Sequence, residues 1–484
     1  MGKEQGNKVL KSGIWYTISS VAIRAVALIT TPIYTSLLSP DDYGVANIFN
    51  SWIDLINVIT CLCIVYSIGR AKIDFKDKFD EYMSALQGLS STFAFVVLIF
   101  AILFREQLSA AMKYEVPLVI VLFVYLVISP SVEYMLQKYK YEYQYKNNII
   151  VSLVSCVGTV FFSIVLIFVF KEQRYIGKII GSLLTSFLMG IWFYVKILRK
   201  GGVFYNKEYW IYALKFGIPM IPHALALQFL AQIDRIMILD ICSEEAAGLY
   251  AFGYSFATLL AIFTNAIGQA WLPWFNEQLD AGNRDRIRSV QKKLVLLGVF
   301  LSIGFIAVAP EALMVLAPNN RAYWVAKYVV PPVALGTLAQ YFYTNYVNVE
   351  LFYKRTPLIA VSSVMTAGVN YVLNMLAIKR FGYIAAAYTT LISYIFLMVF
   401  HYIATRYVMK KKIYANMYMF VAMLIAFLIS QVELLFYAEG IRMIVCRYLV
   451  TLLILGIFAF MKRRDIMLLL DFVKKKYFGN RSKK

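Results

Sequence analysis

Long apolar runs, separated by short polar stretches, fill almost the whole chain. A helix needs roughly 20 mostly apolar residues to cross a bilayer, and fourteen segments meet this requirement. They are residues 12–37, 44–68, 82–104, 115–136, 147–170, 175–195, 209–239, 246–273, 294–316, 324–350, 357–378, 383–405, 413–436 and 440–461. The pattern predicts an all-α polytopic membrane protein with about fourteen transmembrane helices.

The composition and the distribution of charge agree with this prediction. Of the 484 residues, 61% are hydrophobic and 15% are charged, against about 45–50% and about 25% in soluble domains. The net charge of +21 would suggest a nucleic-acid ligand in a soluble protein. Here lysine and arginine collect at both termini and in every second loop, as they do on the cytoplasmic side of membrane proteins. We therefore expect cytoplasmic N- and C-termini and no nucleic-acid partner.

Two stretches resemble each other at a fixed offset along the chain. Gly13–Gly44 reads GIWYTISSVAIRAVALITTPIYTSLLSPDDYG, and Gly217–Gly248 reads GIPMIPHALALQFLAQIDRIMILDICSEEAAG. Six helices separate the two starts, an even number, so the pattern indicates a parallel repeat of two six-helix lobes. It predicts an N-lobe of helices 1–6 at residues 1–200, a C-lobe of helices 7–12 at 201–408, helices 13 and 14 at 409–462, and a basic cytoplasmic tail at 463–484.

An arginine lies in the middle of the first predicted helix. A central arginine costs about 2.5–3.5 kcal/mol on insertion, while each Leu, Ile or Val returns only about 0.3–0.6 kcal/mol. Arg24 shares one helical face with small and polar residues, among them Thr17, Ser20 and Thr31. We prefer the interpretation that this face lines a water-filled cavity. The alternative is a buried ion pair between Arg24 and an acid such as Asp54.

The matching face of helix 7 also carries charge. At the offset of the repeat, Gln228 corresponds to Arg24 and Arg235 corresponds to Thr31, so each face has one cation. Arg235 lies near the external end, where snorkelling or pairing is the alternative to a binding role. Asp234 is the acid deep within helix 7, and a buried carboxylate can carry a proton or bind Na⁺. An ion pair with Arg235 explains Asp234 equally well.

Helix 2 carries a polar stripe of four residues. Asn47, Asn50, Asp54 and Asn57 follow spacings of 3, 4 and 3, which place them on one helical face. Cavity lining is the preferred interpretation, and hydrogen bonding between helices is the alternative.

The chain has no phosphate-binding Walker loop and no loop long enough for a catalytic domain. We therefore predict neither an enzyme nor catalytic or metal-binding residues.

Four stretches resemble the Wzx-type oligosaccharide flippases, the polysaccharide transporters of the MOP exporter superfamily. They are LLSPDDYGVANIF (37–49), FGIPMIPHALALQFLAQIDRIMIL (216–239), AAGLYAFGYS (246–255) and FGYIAAAYTTLISYI (381–395). The resemblance covers helices 1 to 12 and implies two lobes around a central cavity that opens alternately to each side. It also implies that a polyprenyl-diphosphate-linked oligosaccharide is moved to the external leaflet of the bacterial cytoplasmic membrane, for surface polysaccharide biosynthesis.

Such a cargo agrees with the polar helix faces. Its diphosphate is anionic, and arginine is a strong phosphate partner. The predicted substrate-binding cavity therefore consists of Arg24, Thr17, Ser20, Thr31, Gln228, Arg235, Asn47, Asn50 and Asp54. Membrane lipid, a glycan polymerase and the glycosyltransferases of the same pathway are the other expected partners. No cofactor is expected, and coupling to a H⁺ or Na⁺ gradient would involve Asp234.

Two other functions compete with the flippase. An ion-coupled antiporter of small molecules, or a transporter of another lipid-linked precursor such as lipid II, would use the same architecture. A drug or cation antiporter of this superfamily typically has twelve helices and an acid-lined cavity, so the cation in helix 1 and the two additional helices disfavour it. A membrane glycan polymerase or ligase is disfavoured further, because such enzymes generally carry a large external loop. Helices 13 and 14 also carry Glu433 and Arg447, which are a candidate ion pair.

Overall fold

The structure is a computed structural model that describes residues 28–353 and 355–461, together with Ile23 and Val26. All regular structure in these ranges is helical. The helices are α1 (28–37), α2 (Pro40–Thr60), α3 (Ile68–Asp74), α4 (Phe79–Leu103), α5 (Arg105–Met112), α6 (Val116–Ile128), α7 (Pro130–Tyr141), α8 (Tyr145–Val169), α9 (Arg174–Gly201), α10 (Lys207–Ile241), α11 (Glu244–Ala257), α12 (Leu260–Asp280), α13 (Arg284–Leu316), α14 (Val330–Phe352), α15 (Thr356–Phe381), α16 (Ile384–Ile403), α17 (Asn416–Leu434) and α18 (Ile441–Met461).

The described helices overlap all fourteen predicted segments. Among the described residues, nine helices are long and apolar enough to cross a membrane, or ten if a bent pair counts as one span. The protein is therefore an all-α, multi-pass membrane protein, as predicted. That all fourteen segments cross the bilayer stays a prediction.

The predicted second helix is broken into two pieces. The chain bends by 56° between Pro40–Thr60 and Ile64–Asp74. At the bend, Leu62 and Cys63 have φ values of 51° and 50°, a left-handed conformation that residues other than glycine rarely adopt. The break carries the chain past the end of the polar stripe and positions the residues that follow it on a cavity wall.

A single unbroken helix, α10, occupies the seventh predicted segment. Pro219 and Pro222 lie within this segment, and the helix continues through both prolines. Proline is tolerated inside membrane helices, because neighbouring groups satisfy the carbonyls it frees. One continuous helix of 35 residues therefore carries both Gln228 and Arg235.

The chain divides into two compact units. The first unit comprises Met1–Ala251, Leu316–Tyr323 and Ser363–Ala386, and the second comprises Phe252–Val315, Trp324–Ser362 and Ala387–Lys484. Each has an apolar core: Phe79, Tyr82, Leu86 and Phe193 are buried in the first, and Phe275, Leu338, Phe342 and Met398 in the second. The predicted lobe boundary between residues 200 and 201 stays a prediction.

Two glycines that the repeat places in register meet directly within the first unit. A Cβ atom on Gly44 would lie 2.3 Å from the carbonyl oxygen of Glu244, and one on Gly248 would lie 1.8 Å from that of Pro40. The backbones of α2 and α11 therefore touch at this crossing, which leaves no room for a side chain. Close approach at small residues is how membrane helices commonly pack.

The serines that precede these helices have matching roles. The hydroxyl oxygen of Ser39 accepts a hydrogen bond from the backbone N–H of Asp42, and that of Ser243 accepts one from Ala246, both at 3.1 Å. Each serine caps a helix, and the acidic pair that follows lies in the first turn, where negative charge is favourable. The Ser-and-acids pattern of the repeat is thus a helix-start signal.

Candidate functional site

The first unit contains a polar cavity of about 590 Å³. The helices α2, α6, α7, α9 and α10 form its wall, together with the bend after α2. Its polar lining includes Asp54, Asn57, Tyr66, Tyr125, Ser129, Glu133, Tyr134, Ser186 and Gln228. A cavity of this size is within the range of about 300–1,000 Å³ that is usual for small-molecule sites.

The polar stripe of helix 2 is divided by this cavity. Asp54 and Asn57 line it, whereas Asn47 and Asn50 do not. The side chain of Asn47 donates instead to the carbonyl of Tyr43, four residues earlier in its own helix, at 2.7 Å. Asn50 is exposed. The structure thus brings only the C-terminal half of the stripe to the cavity.

A hydrogen-bond chain joins Asp54 to Arg235. The amide nitrogen of Gln232 donates to a carboxylate oxygen of Asp54 at 2.9 Å. The amide oxygen of Gln232 accepts from Arg235 at 2.5 Å and from the hydroxyl of Ser51 at 2.9 Å. Arg235 is half-buried and also donates to the carbonyl of Ala231. One neutral amide therefore links an acid on α2 to a base on α10.

Asp234 contacts a different set of helices. Its side chain is 2% exposed, and its two carboxylate oxygens accept hydrogen bonds from the hydroxyl of Tyr250 at 2.5 Å and from the amide of Asn374 at 2.6 Å. Asn374 donates in addition to Asn370 at 3.2 Å. Neighbouring side chains on a helix diverge by about 100°, which explains why Asp234 and Arg235 reach separate partners. Two neutral donors therefore hold this carboxylate in place.

The predicted residues of the first helix are covered only in part. Thr17, Ser20 and Arg24 lie outside the described residues. Thr31 lies on α1 and is half-buried. On the described wall of the cavity, the charged residues are Asp54 and Glu133, and no lysine or arginine lines it. Any cation that reaches an anionic ligand in this cavity must therefore come from elsewhere in the chain.

In the second unit, the expected pair of Glu433 and Arg447 is replaced by other contacts. Arg447 is 1% exposed and forms an ion pair with Glu311 of α13. Glu433 accepts a hydrogen bond from the hydroxyl of Thr451 at 2.8 Å. The sequence contained both charges of the expected pair, but it did not show that α13 places a third charge beside Arg447.

Sequence reasoning missed several polar groups of the site. Gln232, Ser51 and Glu133 attracted no attention, because a single polar residue in an apolar run has no pattern of its own. One signal was available for Gln232: it lies four residues after Gln228, and therefore on nearly the same helical face. The hydrogen bond from Asn374 to Asp234 was not foreseen, because it joins positions far apart in the sequence.

Comparison with known families decides which group of proteins this chain joins. A family model described as "Polysaccharide biosynthesis protein" matches residues 9–278, which is more than half of the chain. The chain belongs to this family. A second model, MatE, matches residues 219–376. The matched range of the polysaccharide biosynthesis family includes every helix that lines the cavity.

Individual relatives of this family member agree with the assignment. "Lsg locus putative protein 1" of Haemophilus influenzae is 23% identical over 395 residues, which cover 77% of this chain and 91% of that protein. The inward closed conformation of the lipid II flippase MurJ has a TM-score of 0.72 at 15% identity, covering 94% of this chain and 100% of the other. An inward-facing multidrug resistance MATE transporter of the MOP superfamily has a TM-score of 0.58 at 13% identity, covering 86% and 98%. The predicted membership in a polysaccharide biosynthesis family is confirmed, and the chain shares its fold with the MurJ and MATE structures.

Proposed function

We propose that this protein moves a polyprenyl-diphosphate-linked oligosaccharide from the cytoplasmic to the external leaflet by alternating access. The match of residues 9–278 to the polysaccharide biosynthesis family carries the proposal, because that range builds the polar cavity. A glycan needs many hydrogen-bonding partners, and five helices contribute such groups to the cavity. The membrane is the bacterial cytoplasmic membrane in this proposal, with both termini on the cytoplasmic side.

The described wall of the cavity is acidic, so binding of a diphosphate there requires compensating positive charge. Asp54 and Glu133 are acidic, and their negative charge repels a diphosphate. In the structure, Gln232 connects Asp54 with Arg235, which offsets part of that charge. Arg24 is the proposed direct partner of the diphosphate, since arginine binds phosphate oxygens through two parallel hydrogen bonds. Gln228, its repeat partner, lines the cavity of the first unit.

Asp234 is the proposed site of coupling to a H⁺ or Na⁺ gradient. A buried carboxylate within the membrane is costly unless it serves a function or is paired. Here two neutral side chains, Tyr250 and Asn374, donate hydrogen bonds to it. A carboxylate can bind a proton or Na⁺, which is the chemistry that coupling to such a gradient requires. The glycan polymerase and glycosyltransferases of the same pathway complete the proposed set of partners.

The role of Arg24 is tested by replacement in a strain that depends on this chain for polysaccharide export. We expect Arg24→Ala to lower export by about 10- to 100-fold and Arg24→Lys to restore part of it, because a charged hydrogen bond is lost in the first and a cation is kept in the second. Lys113→Ala, at an exposed lysine paired with Asp240, is the matched control. Wild-type export with Arg24→Ala at normal membrane levels would show that this role is wrong.

A second candidate function rests on the MatE match to residues 219–376. In this alternative the protein exchanges small molecules for an ion, and glycan export is unrelated to it. A deletion strain then shows normal surface polysaccharide and altered resistance to cationic drugs. Normal drug resistance together with lost polysaccharide favours the flippase.

A further inference from the structure

The second unit contains a separate pocket of about 250 Å³ between α12 and α14. One helical face from each helix forms it. On α12 the lining positions include Asn265, Gly268, Gln269 and Leu272, and on α14 they include Tyr341, Thr344, Asn345 and Asn348. Both sets follow the spacing i, i+3, i+4, i+7, which places each set on one side of its helix.

The lining of this pocket is polar and carries no charge. Five of its residues are amides, namely Asn265, Gln269, Gln340, Asn345 and Asn348, and Thr264 and Thr344 add hydroxyl groups. None of the described residues that line it is acidic or basic. The pocket therefore offers neutral donors and acceptors, and it gives an anion or a cation no charged partner.

Several of these amides have no hydrogen-bond partner among the described residues. In the described part of the chain, the side chains of Asn265, Gln269 and Asn348 make no hydrogen bond to other residues. Asn265 and Gln269 lie on a helical stretch, Glu244–Asp280, that is apolar enough to span a membrane. Polar groups at membrane depth are tolerated where they line a water-filled cavity or bind a ligand. These three amides are therefore available to hydrogen-bond a ligand in the pocket.

We infer that this pocket binds one uncharged sugar residue of the glycan cargo. Sugar hydroxyls both donate and accept hydrogen bonds, as amides do, and the described pocket lining offers both kinds of group. The volume is below the range of about 300–1,000 Å³ that is usual for drug-sized ligands, which fits a single sugar ring better than a chain. This inference rests on the proposed function and assigns the second unit to the uncharged part of the cargo.

A glycine provides a way to fill the pocket. Gly268 lies on its wall, and a Cβ atom added there has no heavy atom within 4 Å. Gly268→Leu therefore projects into open space without a backbone clash. Gly304 of α13 also has no atom within 4 Å of an added Cβ and does not line the pocket, so Gly304→Leu is the matched control. Gln269→Leu removes one spare amide and leaves the backbone unchanged.

The experiment compares polysaccharide export in a deletion strain complemented with each variant at equal membrane levels. We expect Gly268→Leu to lower export by about tenfold or more and Gln269→Leu by about fivefold, while Gly304→Leu stays within about twofold of wild type. Export at the wild-type level in Gly268→Leu, in a strain where deletion abolishes export, overturns the inference and leaves the proposed function intact. Normal export in the deletion strain overturns the proposed function itself.

A binding measurement separates loss of the ligand from loss of movement. The purified protein is mixed with methyl glucoside and methyl N-acetylglucosaminide, and saturation transfer from protein to sugar is recorded by NMR. We expect transfer with wild type and Gly304→Leu, and at least about a fivefold loss with Gly268→Leu. Equal transfer in wild type and Gly268→Leu, or none in wild type, overturns the inference.

Discussion

The two units of the protein present polar cavities of different chemistry. The cavity of the first unit measures about 590 Å³ and carries two carboxylates, Asp54 and Glu133. The pocket of the second unit measures about 250 Å³, and its described lining carries amides and hydroxyls but no charged side chain. Charge in the first is connected across helices through Gln232, whereas Asn345 in the second bonds to carbonyls of its own helix.

We infer from this difference that the two units contact different parts of the ligand. A charged network joined across helices responds to the removal of any member, because each loss leaves another polar group unpaired. A neutral pocket can lose one amide at lower cost, because its groups do not depend on one another. We therefore expect the cavity of the first unit to bind the charged part of the ligand and the pocket of the second unit to bind its uncharged polar part.

The largest effect is expected where the two helices of the predicted repeat touch. Gly248→Leu places a side chain where an added Cβ alone would be 1.8 Å from a carbonyl oxygen, so we expect a loss of about 3 kcal/mol or more in the free energy of unfolding. Gly304→Leu, which meets no atom within 4 Å, should stay near wild type. Unfolding of the purified protein in detergent micelles measures both. Equal stability of the two variants would show that the crossing is not close-packed.

The charged network of the first unit should be the next most sensitive feature. Asp54→Leu removes the acceptor of Gln232 and separates Arg235 from its acid, and we expect a loss of about 1–3 kcal/mol in unfolding free energy. The control is Asp240→Leu, since Asp240 is exposed and its pair with Lys113 should contribute less than about 1 kcal/mol. A stability loss no larger than that of the control would contradict the network.

Removal of the charge at Asp234 is expected to lower export and to abolish its dependence on an ion gradient. Asp234→Asn keeps the shape but cannot carry a proton or attract Na⁺, so we expect export to fall about tenfold and to stop responding to ionophores. Export from cells is measured with and without collapse of the proton or sodium gradient. Asp240→Asn is the exposed control. The same ionophore response in Asp234→Asn and wild type would exclude this residue as the coupling site.

The smallest effect is expected in the neutral pocket. Asn345→Leu removes an amide that donates to Tyr341 and Phe342 of its own helix at 3.1 and 3.4 Å. Those carbonyls keep their positions in the helix, so we expect a loss of about 0.5–1 kcal/mol in unfolding free energy. The same unfolding measurement applies, with Gly304→Leu again as the reference. A loss equal to that of Asp54→Leu would remove the contrast between the units.

Much of the fold follows from apolar periodicity, because the membrane restricts a chain to few solutions. Length and hydropathy located helices at all fourteen predicted positions. The break after Thr60 was not foreseen, since neither glycine nor proline marks it and Leu62 and Cys63 adopt left-handed backbone there. The continuity of α10 through two prolines was likewise set by its surroundings and not by local preference.

The site was predictable only where its residues share a helical face. Spacing along helix 2 identified Asp54 and Asn57, but it could not show that Asn47 satisfies itself on the carbonyl of Tyr43. The links from Gln232 to Asp54 and from Asn374 to Asp234 join residues that are 178 and 140 positions apart. Such contacts depend on how helices pack, and no local pattern in a single sequence encodes them.

The most direct test of the account identifies what accumulates when the protein is absent. The gene is deleted, lipids are extracted from the membrane, and polyprenyl-linked species are identified by mass spectrometry. We predict that a polyprenyl-diphosphate carrying a complete oligosaccharide unit accumulates in the cytoplasmic leaflet and that surface polysaccharide disappears. Expression of the wild-type chain should reverse both effects. An unchanged lipid-linked pool with normal surface polysaccharide would contradict it.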